Sequence, residues 1–148
     1  MSKYNWRLKV NKKMIDEFED LLYARAVKSG EHLRNEIVKK LSGSGSGKTY
    51  TVPGTSTSHR ASAPGEPPAK LTGWLANNVE TKTERDKRAI DTYVGIRGGP
   101  DGVPYARRLE YGFHGKDSKG RTYNQAPRPY FEPAYHEQKG EIKRIIKG

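Results

Sequence analysis

No cysteine occurs anywhere in the 148 residues, which excludes disulfides and thiolate metal sites and leaves a reducing compartment compatible. Large aliphatic residues are scarce as well. Leu, Ile, Val and Phe make up about a sixth of the chain, below the roughly 20 % at which composition begins to suggest disorder when net charge is high, so the core must be thin. No apolar run approaches the ~20 residues that span a bilayer. Residues 1–10 alternate polar and apolar groups and lack the continuous apolar stretch of a signal peptide, so a soluble protein without a standard export signal is expected. What is abundant is positive charge. A formal net charge of +11 favours contact with a polyanion through counterion release, yet Asp and Glu interleave with the basic residues, a pattern closer to a wall beside DNA than to a reader of its sequence.

The apolar residues that do occur recur at regular spacings and predict a single α+β domain over residues 1–148, a small antiparallel sheet packed against a long N-terminal helix and shorter helices, with a long extended loop. Tyr4, Trp6, Leu8 and Val10 alternate as a first strand. Asn11 can cap a helix carrying Ile15, Phe18, Leu22, Ala26, Leu33, Ile37 and Leu41 on one face, acids early, Lys39 and Lys40 late, and Gly30 as its weakest point. Residues 42–69 are rich in Gly, Ser, Thr and Pro. Such a stretch has too little apolar surface to fold alone and reads as an arm that orders on a partner.

Thr72 can cap a short helix with Trp74 and Leu75; Val79, Thr81 and Thr83 then face Ile90, Thr92, Val94 and Ile96 across a charged turn at 84–88. Glycines and Pro100 break the chain before Pro104 opens a helix with Tyr105, Ala106 and Leu109, and Gly112 stops it. Phe113 and His114 are expected to pair with Thr122 and Tyr123 across a loop at 115–121. A last helix follows Pro127 and Pro129, burying Phe131, Tyr135, Ile142 and Ile145.

Catalytic patterns fail on inspection. Gly43-Ser44-Gly45-Ser46-Gly47-Lys48-Thr49 resembles the end of a phosphate-binding loop, but the leading glycine is replaced by Ser42, and the stretch follows a helix and opens a Pro-rich loop. His32, His59, His114 and His136 share no ligand spacing. Glu110 and Glu132 read as exposed helical carboxylates or arginine partners. No cofactor, metal or catalytic residue is expected.

Three segments carry a resemblance: His59-Arg60-Ala61-Ser62-Ala63-Pro64-Gly65-Glu66-Pro67-Pro68-Ala69 running into Leu71-Thr72-Gly73-Trp74-Leu75; Pro104-Tyr105-Ala106-Arg107-Arg108-Leu109-Glu110-Tyr111-Gly112; and Ala126-Pro127-Arg128-Pro129-Tyr130-Phe131-Glu132-Pro133-Ala134. In this order, after a long helix and a Gly/Ser stretch, the chain resembles the neck, head-tail connector or tail-completion proteins of long-tailed bacteriophages. It departs at Lys70, where an acid is frequent, and in a longer 115–121 loop. The resemblance implies a non-enzymatic virion protein at the head-tail junction, made in the host bacterial cytoplasm. It would form a homo-oligomeric ring, of six copies rather than twelve. Its expected partners are portal-side connector or head-closure proteins on one side and tail terminator or tail tube proteins on the other, with loose contact to the passing genome and none to a membrane.

Interface candidates in those segments are His59, Arg60, Pro64, Glu66, Pro67, Thr72, Trp74, Tyr105, Glu110, Arg128, Tyr130 and Phe131; candidates to face DNA are Lys48, Arg107, Arg108, Lys116, Lys119 and Arg121. Pro64, Pro67 and Pro68 would stiffen the arm and reduce the entropy lost on docking. Arg128 could anchor a carboxylate across an interface or face DNA. A competing reading is a free-standing basic nucleic-acid-binding module, for which no helix-turn-helix, zinc-finger or RNA-binding strand signature is present. A third is a small nuclease or toxin built on dispersed His and Glu residues.

Overall fold

A computed structural model describes residue 9 and residues 11–98 and 102–148. The strand expected at Tyr4, Trp6, Leu8 and Val10 lies outside the described residues. Asn11 begins the first helix as expected: its side-chain oxygen accepts the Lys13 amide at 3.0 Å, satisfying one of the donors that a helix start leaves free. The helix, α1 (Lys12–Lys40), runs for 29 residues, about 43 Å at 1.5 Å per residue.

Among the described residues the chain is α+β, with four helices and three two-stranded antiparallel sheets. After α1 come β1 (Thr49–Thr51) and β2 (Ser58–Arg60), then the short α2 (Trp74–Asn77) and the hairpin β3 (Val79–Arg85) with β4 (Ile90–Ile96). Next is α3 (Gly102–Tyr111), followed by the hairpin β5 (Phe113–Lys116) and β6 (Thr122–Gln125), and finally α4 (Phe131–Lys147). The strands form three separate pairs, not one small sheet. In the largest, Val79 faces Ile96, Thr81 faces Val94 and Thr83 faces Thr92, so period-2 alternation puts one face on α1. At the other hairpin Phe113 faces Gln125 and Lys116 faces Thr122. This pairing is longer and shifted from the expected one, because the turn closes at Asp117 and Arg121.

The core is built where α1, β3–β4 and α4 meet. Leu33, Ile37, Leu41, Val79, Leu109, Tyr130 and Ala134 are buried together, with Val94, Ile96, Phe131 and Ile142 packed on them. Helices α1 and α4 run antiparallel: Arg25 donates to the carbonyls of Ile146 and Lys147 at the end of α4, His32 bonds Gln138, and Lys40 pairs with Glu137. The cation at the carbonyl end of α4 also suits the helix dipole.

Three expectations about packing change. Ile15 and Phe18 continue the apolar face of α1, but they stand exposed, because the helix outruns the body that covers its second half. Gly30 does not interrupt α1 and has a packing role besides: a Cβ there would stand 2.5 Å from the Thr92 Cγ2, so glycine permits the close approach of α1 and β4. Tyr135 is exposed and Ile145 half-buried, and the residue of α4 that packs most fully is Ala134.

Candidate functional site

Residues 42–69, expected as an extended arm, fold back on the body. Gly47 donates to the Ala61 carbonyl at 2.8 Å, Ala61 to Lys48 at 3.0 Å, and Lys70 to Gly43 at 3.0 Å. Glu66 fastens the base of this hairpin by accepting the Ser46 hydroxyl and the Ser46 and Ala63 amides. These bonds, the Ser46 hydroxyl foremost, hold its carboxyl below the usual range. Arg60 donates to the Ser46 and Gly47 carbonyls. The stretch that resembles a phosphate-binding loop therefore spends the amides of Ser46 and Gly47 on the protein itself, and a Cβ at Gly45 would collide with the Ala61 carbonyl.

The hairpin is locked in turn to the start of α4. Gly65 donates to the Pro127 carbonyl at 2.9 Å, and the Arg128 guanidinium donates twice to the buried Ser62 carbonyl at 3.3 Å. From the other side, Arg128 donates its amide to Leu109 at 2.6 Å. Gly112, at φ 76°, lets the chain leave α3 close to Gln125 and Pro127. Glu110 completes the junction. Its Oε2 accepts the amides of Tyr130 and Phe131 and its Oε1 that of Glu132, each at 2.9 Å. Helix α4 has no side-chain cap of its own, and Pro133 carries no N–H, so a carboxylate from α3 supplies the cap.

All three segments singled out in the sequence thus meet in one hydrogen-bonded unit. Several of their residues are internal, which corrects the expectation for them. Glu110 and Tyr130 are 6 % and 2 % exposed, Arg128 is a clamp on Ser62, and Glu66, half-buried, bonds within its own hairpin; Arg60 also bonds there but stays exposed. Tyr130 donates its hydroxyl to Ala106, and burial pushes that phenol above its ordinary range. Phe131 lies edge-on to it, half-buried. His59, half-buried, meets the Tyr50 ring edge-on at 5.5 Å. Pro64 and Thr72 are exposed and Pro67 half-buried; Thr72 accepts the Trp74 amide at 3.3 Å, while Gly73 takes the cap position itself.

What remains outward is aromatic. Trp74 and Tyr105 are exposed and border a groove of about 260 Å³ whose other walls include Leu41, Pro68, Leu71 and Leu75. Desolvation raises the Tyr105 phenol, with Tyr50 adding and Arg128 opposing. Tyr111, also exposed, donates to Glu132. Sequence reasoning missed Tyr50 and Leu71 at this surface. Their signal was a large apolar residue within a polar stretch.

The candidates to face DNA divide. Lys48 and Arg107 are exposed, and Arg108 lies over the Phe113 ring at 4.1 Å. Lys116, Lys119 and Arg121 come together on the β5–β6 hairpin, but Arg121 is paired with Asp117 at 2.7 Å. Desolvation opposes ionisation of Asp117; the Arg121 amide and guanidinium and the Lys119 amide outweigh it and hold the carboxyl at about 2. Among the described residues no three His, Asp or Glu side chains gather as a metal site, and no helix is long and apolar enough to cross a membrane.

Comparison with protein-family models, with curated proteins and with solved structures returned no match to this chain.

Proposed function

We propose that this chain is a structural subunit of the bacteriophage head-tail junction, a neck or tail-completion protein that works as a homo-oligomeric ring of six and joins the DNA-filled head to the tail. One observation carries the reading. The three segments on which the resemblance rests are far apart in sequence yet form a single bonded unit, and its outward face presents Trp74 and Tyr105 beside an apolar groove. Exposed aromatics around a concave apolar surface are what a protein interface uses as anchors. The engaged amides of the glycine-rich loop further support a role without nucleotide chemistry.

In this role the partners are copies of the chain, a portal-side connector or head-closure protein, and a tail terminator or tail tube protein; the virion is the place of action. Native mass spectrometry of the purified full chain tests the ring. A six-copy species weakened by Trp74→Ala or Tyr105→Ala is expected. A chain that stays monomeric up to high micromolar concentration and retards duplex DNA would favour the free-standing nucleic-acid-binding reading instead.

A further inference from the structure

The β3–β4 hairpin packs one face on α1 and leaves an edge open. Arg97 donates to the Asn78 carbonyl and Asp86 to that of Ala89. In the register that pairs Val79 with Ile96 and Arg85 with Ile90, Asp91, Tyr93 and Gly95 are therefore the residues of β4 that exchange bonds with β3. The amides and carbonyls of Ile90, Thr92 and Val94 point the other way. Among the described residues no further strand or side chain takes them up. The opposite edge differs, because Arg34 occupies the outward Val79 carbonyl at 2.8 Å.

Two apolar surfaces beside the open edge are uncovered as well. The start of α1 outruns the body, leaving Ile15 and Phe18 exposed, Phe18 at 58 %. Further along, Leu22, Ala26, Ile90 and Ile146 wall a groove of about 330 Å³ whose rim carries both signs, Glu19 and Asp86 beside Lys87 and Arg88. The charge of that rim selects no occupant, whereas the path of the chain does.

Residues 1–10 lead into α1 at Asn11, and Tyr4, Trp6, Leu8 and Val10 alternate with Asn5, Arg7 and Lys9, which sets four apolar groups on one side of an extended chain. Val10 precedes the Asn11 cap. From that position an apolar side chain packs on the fourth helical residue, here Ile15, and turns the entering chain back along the helix. Arg34 meets Val79 and Asp20 meets Arg85, so β4 runs parallel to α1, and a segment folded back along α1 is antiparallel to β4. Leu22 and Ile90 stand at the same level, across the groove. From Asn11 to Leu22 is about 16 Å of helix, a distance that about five extended residues cover, which brings Trp6 beside Ile90. Parity agrees with reach. With Trp6 opposite Ile90 and Tyr4 opposite Thr92, hydrogen-bonded pairs form on the open edge and the even-numbered side chains face the helices; a slip of one residue would turn them all to solvent.

We propose that residues 4–10 add to the β4 edge of the same copy as a third, antiparallel strand, with Trp6 in the groove against Ile90 and Ile146, Leu8 over Phe18 and Val10 on Ile15. The tether favours this occupant over any free molecule, since it presents the segment at an effective concentration of about millimolar. The strand closes an edge that would otherwise template pairing with other chains. It needs no second copy, so it stands or falls apart from the proposed ring.

Because the chain has no cysteine, introduced thiols report without background. In this register Asn5 stands opposite Asp91 on the outer face, a non-hydrogen-bonded pair whose Cα separation suits a disulfide. The full chain with Asn5→Cys and Asp91→Cys should bridge within single chains about tenfold faster than one with Asn5→Cys and Lys82→Cys, whose second thiol lies one strand further away. Equal rates, or no bridge, overturn the strand. A bridge between chains overturns it in favour of a strand lent to a neighbouring copy. Hydrogen exchange on the unsubstituted chain reads the same contact independently. The Thr92 amide, which β3 leaves free, should be protected as that of Tyr93 is, and Trp6→Ser with Leu8→Ser should speed exchange at Thr92 about tenfold while Tyr93 stays slow. Fast exchange at Thr92 in the parent chain, or protection there that the two substitutions leave unchanged, overturns the proposal.

Discussion

The Glu110 carboxylate and the Tyr130 amide meet at 2.9 Å across twenty residues of sequence, and this contact makes α4 depend on α3 for its cap. Glu110→Ala leaves three amides at a buried helix start without their acceptor, a loss expected to cost about 3 kcal/mol. Glu110→Gln keeps one acceptor oxygen, for the Tyr130 and Phe131 amides, but turns an NH2 toward the Glu132 amide and gives up the charge favoured at a helix N-terminus, and should cost about 1–2 kcal/mol. Urea denaturation at unchanged slope measures both. Equal losses for the two variants would show that the hydrogen bonds are not what holds the junction.

Gly30 and Thr92 form a second dependent pair. Gly30→Ala gains helix propensity, up to about 1 kcal/mol, yet drives a Cβ onto the Thr92 methyl, and overpacking of this kind costs about 1–3 kcal/mol. The single variant should be destabilised by about 1 kcal/mol. Thr92→Ser removes the methyl while keeping the hydroxyl that bonds Thr83 and the Ala26 carbonyl. The double variant should recover the loss, and a thermodynamic cycle without coupling would refute the close approach.

Much of this fold was legible in the residue order, for identifiable reasons. Asn11, the alternation from Ile90 to Ile96, and Gly112 are local signals whose physics acts within a few residues, and each element lies where they placed it. Packing was less legible. Periodicity says which face of α1 is apolar, not where the body beneath it stops, so Ile15 and Phe18 read as core although they are exposed. Glu110 read as a surface acid because its partners lie in another helix. The 42–69 stretch read as a free arm because what anchors it is polar: the Glu66 carboxylate and the Arg60 and Arg128 guanidinium groups bond backbone amides and carbonyls, and such partners leave no apolar mark in composition.

That stretch yields a sharp expectation for the isolated subunit. Hydrogen exchange should be slow at the Gly47, Ala61, Gly65 and Lys70 amides, which are bonded to Ala61, Lys48, Pro127 and Gly43, and fast at the Gly54 and Ser56 amides of the exposed tip. Uniformly fast exchange from 42 to 69 would restore the free arm.

Asp117 predicts a pH dependence. Its carboxyl is held at about 2 against an ordinary 3.8, so its stabilising effect on the β5–β6 turn is complete above pH ~3.8 and is lost as pH falls through about 2. The Asp117 carboxyl resonance should titrate with a midpoint near 2. Asp117→Asn should abolish the acid transition of the Lys119 and Arg121 amides, while a midpoint near 4 in the parent chain would mean that the turn is open in solution.

The same turn decides which cations reach a polyanion. Lys116 and Lys119 are exposed, and no carboxylate among the described residues pairs with them, whereas the Arg121 guanidinium already serves Asp117. Each lysine that neutralises one phosphate of duplex DNA contributes about 0.9 to the slope of log affinity against log salt. Lys116→Ala and Lys119→Ala should therefore each lower that slope by about 0.9 on random-sequence duplex followed by fluorescence anisotropy. Arg121→Ala combined with Asp117→Asn removes an internally neutral pair and should leave the slope unchanged. A drop of about 0.9 on removing the pair would show Arg121 leaving Asp117 for a phosphate. No binding by the parent chain even at low salt would remove genome contact from the proposed role and leave the hairpin lysines as solubilising charge.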